Sequence, residues 1–162
     1  MNRRQPKEKF EFTPPDLALA CAALARVRQD GDGWINLLPG VPEDSVKAAE
    51  PSAGLFAMFG NRVSPVTMAT LIPPKADRRE TEGVSVGLMH PTGGKAIARL
   101  ALAGIDLPEG WLVRQDHVRR GLVLRTAAHA SEEEIVAWSV EAGEALCLVE
   151  TTGRWQAVVY LP

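Results

Sequence analysis

The residues of this 162-residue chain best suited to chemistry gather in its second half: His90, His117 and His129, the run Thr92-Gly93-Gly94-Lys95, and the pair Arg119-Arg120. Three histidines suggest a metal centre. A glycine-opened run ending in lysine suggests an anion site, because backbone N–H groups at a helix start point at whatever sits in front of them. A third pattern, Gly83-Val84-Ser85-Val86-Gly87, carries the letters of a nucleophile elbow. An elbow needs a sharp strand-to-helix turn at the serine. Here valines flank Ser85 in a strand-like run and no helix begins before Thr92, so the letters do not make the motif. Thr92-Gly93-Gly94-Lys95 is not a nucleotide-hydrolase loop either. That loop requires glycine five residues before its second glycine and a hydroxyl residue after the lysine, and this chain has Met89 and Ala96 there.

The elements that must position these residues come in two similar copies. Gly83-Val84-Ser85-Val86 leads through His90-Pro91-Thr92 into a helix-like run ending Ala103-Gly104, then Gly110-Trp111 and a strand. Gly121-Leu122-Val123-Leu124 leads through His129-Ala130-Ser131 into a helix-like run with Ala142-Gly143, then Gly153-Arg154-Trp155 and a strand. The pattern is β-α-β-β-α-β, and the expected fold is α+β with a C-terminal ferredoxin-like (split βαβ) core over residues 83–162. Thr92 should cap the first helix. Ser131 with Glu134 fits a capping box for the second, whose stripe of Ile135, Trp138, Ala142 and Ala145 should be buried. Trp111–Gln115 and Gly121–Thr126 should form a hairpin turning over residues 116–120.

Upstream, Thr13-Pro14-Pro15-Asp16 reads as a helix start, and Leu17, Ala20, Cys21, Leu24 and Val27 form an apolar stripe at helical spacing. Asp30-Gly31-Asp32-Gly33 stops that helix before a strand from Trp34 to Leu38. Residues 39–53 read as a loop with a helical turn near residues 44–49, Leu55–Phe59 as an interior strand, 60–65 as a turn, and Val66–Ile72 as another strand. Residues 13–74 should then be a helix-plus-strands part that extends or covers a mainly antiparallel sheet, within one domain over 13–162, and residues 1–12 a flexible basic tail. Val66–Ile72 would naturally pair with Val84–Met89, which conflicts with the ferredoxin-like strand order. Trp34, Trp111 and Trp155 share a glycine-to-strand context and should each anchor the core.

Topology then selects among the chemistries. His90 and His129 would lie at opposite ends of antiparallel strands, about 20 Å apart for a six-residue strand. One metal with bonds of about 2 Å cannot reach both. His90, Thr92, Gly93, Gly94, Lys95, His117, Arg119 and Arg120 do fall at one end, beside Asp116, and form the candidate anion site. The open face of the sheet is the other candidate, floored by Arg114, Arg125 and Tyr160.

Composition narrows the partners. The chain is 46% hydrophobic and 23% charged with net charge −2, enough apolar material for a core and no general attraction to nucleic acid or anionic membrane. RNA-binding aromatics are missing from the strands that would carry them. Cys21 and Cys147 lack metal-ligand spacing and read as free thiols of a reducing compartment, and no signal-peptide core follows the basic start, so a cytoplasmic location is expected. The sequence implies no cofactor and no metal. The expected function is a non-enzymatic binding or protein-interaction module whose partner is a second copy of the chain, through an edge or sheet face, or another protein. The alternative is a small enzyme or sensor binding an anionic metabolite at the His90/Lys95/His117 end.

Overall fold

The structure, a computed structural model, describes residues 5–45 and 65–162. Residues 43–45 are helical, where the helical turn near residues 44–49 was expected to begin; the rest of that turn, the strand Leu55–Phe59 and the turn over 60–64 lie outside the described residues. The elements run β1 (Glu8–Phe12), α1 (Ala18–Asp30), β2 (Trp34–Pro39), β3 (Met68–Ile72), a short 3₁₀ turn (Ala76–Arg78), β4 (Ser85–Met89), α2 (Ala96–Leu102), β5 (Leu112–His117), β6 (Gly121–Arg125), α3 (Glu132–Leu146) and β7 (Trp155–Tyr160). The fold is α+β, an open seven-stranded antiparallel sheet in the order β1-β7-β2-β3-β4-β6-β5.

That order corrects the ferredoxin-like expectation. In such a core β7 would lie beside β4. Here β3 forms the hairpin with β4 that its sequence favours, in the register Leu71↔Val86, and β2 follows β3. Two strands therefore separate β4 from β7. The unit β4-α2-β5 keeps its split form, with β6 between its strands, and β1-α1-β2 forms a second split unit around β7. Among the described residues of the N-terminal part, β1, β2 and β3 extend the sheet and α1 joins the helical layer on one of its faces. Residues 1–12 are not a loose tail throughout: Glu8–Phe12 pairs with β7 along its length. The reason is alternation. Phe10 and Phe12 face inward over Ala157 and Trp155, while Lys9 and Glu11 face out.

Helices α1, α2 and α3 lie on one face of the sheet, with α3 between α1 and α2. This placement explains why α3 is apolar on most of its circumference: Ile135, Val136, Trp138, Val140, Ala142 and Leu146 are all buried. Ser131 caps α3 by accepting the Glu134 N–H at 3.1 Å. The reciprocal half of the capping box does not form, because the Glu134 carboxylate accepts the Trp111 indole N–H at 3.1 Å instead. Helix α1 starts at Ala18, four residues after Pro14. Thr13 and Asp16 form a tight turn before it, and Asp16 Oδ1 accepts the Ala18 N–H at 3.2 Å. The α1 stripe packs through Ala20, Ala23, Leu24 and Val27, whose small members let the helix sit close to α3. Gly31 ends it in the left-handed conformation, φ 66°, with its N–H on the Val27 carbonyl.

Inward strand positions (Ile35, Leu37, Ala69, Leu71, Val86, Leu88, Leu122, Leu124, Trp155, Ala157, Val159) join the helix stripes in one buried cluster. Fully burying each large aliphatic side chain among them contributes roughly 1.5–3 kcal/mol before conformational entropy is counted. Trp111, Trp138 and Trp155 belong to that cluster and each indole N–H has a partner. Trp34 does not. It points to the other side of the sheet, so the shared glycine-to-tryptophan context fixed the strand start and not the side that the ring faces.

Candidate functional site

The polar end of the sheet is built by β4, the loop after it, α2 and the β5–β6 turn. Strand β5 runs on to His117, beyond the expected end at Gln115, and a bulge between Val113 and Gln115 resets its alternation. Asp116, opposite the inward-facing Leu122, thereby comes under the start of α2. Its Oδ1 accepts the Ala96 N–H at 2.8 Å and its Oδ2 the Ile97 N–H at 3.2 Å. Residue Lys95 is the N-cap, without a side-chain cap of its own. Thr92 was expected to cap α2. Its hydroxyl instead pairs with His90 Nδ1 at 2.9 Å.

Each remaining residue of the predicted anion site has a definite place. His90 is 8% exposed, on the helix side of the sheet. Its Nε2 is buried without a hydrogen-bond partner. Burial lowers its pKa, the Asp116 carboxylate partly opposes this, and Arg99 on α2 adds to the lowering. His117, opposite Gly121, faces the other side, and its Nδ1 accepts the backbone N–H groups of Arg119 at 3.1 Å and Arg120 at 3.2 Å. The two histidines share an end of the sheet but not a face. Gly93 and Gly94 are open, with no atom within 4 Å of where a Cβ would stand, and Lys95, Arg119 and Arg120 are exposed. The first N–H groups of α2 already hold a carboxylate that belongs to the chain.

Two expected outcomes test this geometry. Asp116→Ala should cost about 1–2 kcal/mol, because two helix-start donors lose a charged acceptor, and Asp116→Asn should cost less. Urea midpoints read both, and equal midpoints for Asp116→Ala and wild type would contradict the cap. The second concerns pH. Folded His90 resists protonation, while in the unfolded chain it protonates near 6.5. The unfolded state therefore binds more protons below that value, and the stability present at neutral pH is lost as pH falls from about 6.5 through the folded pKa. Between about pH 7.5 and about pH 5.5, wild type should lose more stability than His90→Gln, and parallel losses would assign the effect to another group.

The other candidate surface is the side of the sheet away from the helices. Register fixes its rows. Val158, Asn36, Thr70, Gly87 and Val123 lie abreast, and Thr70 donates to Asn36 Oδ1 at 2.9 Å. Trp34 stacks on Tyr160 with ring centroids 4.6 Å apart. Met68 pairs with Met89 at one end of the face, and Ile72, Ser85, Arg125 and Leu112 form the row at the other. Met89 is 48% exposed, Ile72 47% and Leu112 54%. Among the described residues, no helix crosses this face. Among the described residues, Arg114, Arg125 and Tyr160, expected to floor one pocket, do not come together. Tyr160 is four strand spacings from Arg125, about 19 Å. Arg125 is tied to Glu82 at 3.3 Å and to the Gly83 carbonyl at 3.2 Å, and Arg114 lies at the bulge on the sheet edge.

Sequence reasoning missed Trp34 as a face residue, since Trp34-Ile35-Asn36-Leu37-Leu38 offers apolar side chains to both sides. Ser85 lies within β4, on the helix-free side opposite Arg125 and Ile72, and not at a strand-to-helix turn. Among the described residues no group of three histidine, cysteine or acidic side chains could hold a metal ion, and no helix is long and apolar enough to cross a membrane. Comparison of the chain with protein-family models, with curated proteins and with solved structures finds no match.

Proposed function

We propose that the protein is a non-enzymatic interaction module, and that the helix-free face of its sheet takes an apolar segment of another protein. The observation that carries this reading is the one-sided placement of the helices. They cover one face with a full core and leave on the other Trp34, Tyr160, Met68, Met89, Val123, Ile72 and Leu112. The stacked aromatic pair gives a rigid apolar platform at one side, and the methionines give side chains that reshape around a partner. The face carries few cations, which fits a protein partner better than a nucleic acid. Anionic-metabolite binding at the His90/Lys95/His117 end is the weaker reading, because Asp116 both occupies the α2 start and places a negative charge there.

Selection of displayed peptides on the immobilised full chain tests the proposal. Selected peptides should be rich in apolar residues and should lose affinity about tenfold or more for an Ile72→Lys, Met89→Lys variant whose melting temperature is unchanged. Peptides that bind the variant equally well would overturn the face. So would a screen of phosphates, nucleotides and carboxylates in which a ligand raises the melting temperature of wild type but not of Lys95→Ala, Arg119→Ala.

A further inference from the structure

The two edges of the sheet are built differently. On β1, Lys9 and Glu11 face out, Glu8 pairs with Arg26 at 2.6 Å and Glu11 with Arg154 at 3.6 Å. A charged, ion-paired edge discourages strand addition. On β5 the exposed residues are Leu112, Val113 and Arg114. Val118 follows in the turn, and α2, the outermost helix above this edge, carries Leu102 at 91% exposure. These apolar groups lie outside the buried core and have no role in the face described above, apart from Leu112.

We propose that a second copy of the chain docks on this edge, with the two β5 strands antiparallel about a two-fold axis and α2 against the partner's α2. An edge strand set antiparallel to its own copy is self-complementary, which is what a two-fold interface requires. The charges fit the same operator. Lys95, Arg119 and Arg120 are exposed at the end of β5 where it turns into β6, and Asp106 and Glu109 are exposed in the loop that enters β5 at the other end. An antiparallel two-fold lays the basic end of one copy against the acidic end of the other, whereas a parallel arrangement would set like against like. The bulge at Arg114 interrupts the strand. In this arrangement Val113 of one copy faces the turn that bears Val118 in the other, and Leu102 lies against the partner's α2, so these reciprocal contacts, together with the end charges, carry the association. The footprint is about 20 Å of strand by roughly 20 Å of sheet-plus-helix thickness, which is the small, reversible class of interface. A micromolar dimer is expected. This inference rests on the edge and not on the peptide-binding reading of the face.

Sedimentation velocity of the full chain, from low to several hundred micromolar, tests it. Wild type should show a reversible monomer–dimer equilibrium that weakens with salt. Leu102→Asp, Val113→Asp should weaken it about tenfold or more at unchanged melting temperature, and Leu19→Asp, on an exposed part of α1, should not. Glu109→Arg should weaken it, and Arg120→Glu added in the same chain should restore it. A chain that stays monomeric throughout overturns the proposal. So does a dimer indifferent to Leu102→Asp, Val113→Asp, or one lost instead with Ile72→Lys, Met89→Lys.

Discussion

Replacing Trp138 with alanine is expected to destabilise the protein by about 3–5 kcal/mol, the cost of emptying a large aromatic site. The ring is 6% exposed, on the central helix of the helical layer. It packs against Trp111 at a centroid distance of 5.2 Å and a tilt of 58°, within the geometry that aromatic pairs prefer. Its indole N–H donates to the Asp106 carbonyl at 2.9 Å and so ties α3 to the loop after α2. The substitution removes the packing, the aromatic pair and the tie together. Trp138→Phe should keep most of the packing and lose the tie, at a cost nearer 1–2 kcal/mol. Urea midpoints give both values. A Trp138→Ala midpoint equal to wild type would mean that α3 does not bury this stripe.

Gly143→Ala should also destabilise, by about 1–3 kcal/mol, although alanine is the better helix former by about 1 kcal/mol. A Cβ at residue 143 would stand 2.7 Å from Cη2 of Trp155. That ring is 1% exposed, and its N–H is fixed on Glu144 Oε1 at 3.0 Å, so it has little room to give. The cost should be coupled to the ring. In a Trp155→Leu background, Gly143→Ala should become neutral or mildly stabilising, because the helix preference is left without the clash. Additive effects of the two substitutions would contradict the close approach of α3 to β7.

The same glycine shows where the apparent duplication of the sequence misleads. Ala103-Gly104 and Ala142-Gly143 match as letters. Gly104 follows the end of α2 with φ 76°, while Gly143 sits inside α3 to admit Trp155. Local signals that rest on one element were legible: the Ser131 cap, the α1 stripe, the burial of Ile135, Trp138 and Ala142, and the inward positions of β6 and β7. Strand order was not, because it depends on which pairing wins. The β3–β4 hairpin excluded the β4–β7 neighbour that the β-α-β-β-α-β pattern alone implied. Residues Glu8–Phe12 carried a readable alternation, Phe10 and Phe12 against Lys9 and Glu11, that the basic charge of the N-terminus obscured.

The candidate site divides in the same way. That His90, Lys95 and His117 belong to one end of the sheet follows from topology. That Asp116 fills the α2 start does not, because it depends on a one-residue bulge in β5 that turns the carboxylate inward. The mixed, half-apolar character of the helix-free face was legible from alternation along β4, β6 and β7, and Trp34 joined it only through the pairing of β2 with β7.

The central claim is that this face, which no helix of the described residues crosses, is available to a partner, and the accessibility of Met89 tests it most directly. Met89 lies on the face, about half exposed, beside Met68 and Gly121. Oxidation by dilute peroxide, followed by mass spectrometry at low protein concentration, should convert Met89 to its sulfoxide nearly as fast as free methionine. A selected apolar peptide should slow it. Strong protection of Met89 in the peptide-free, dilute chain would show that the face is already covered and would contradict the account.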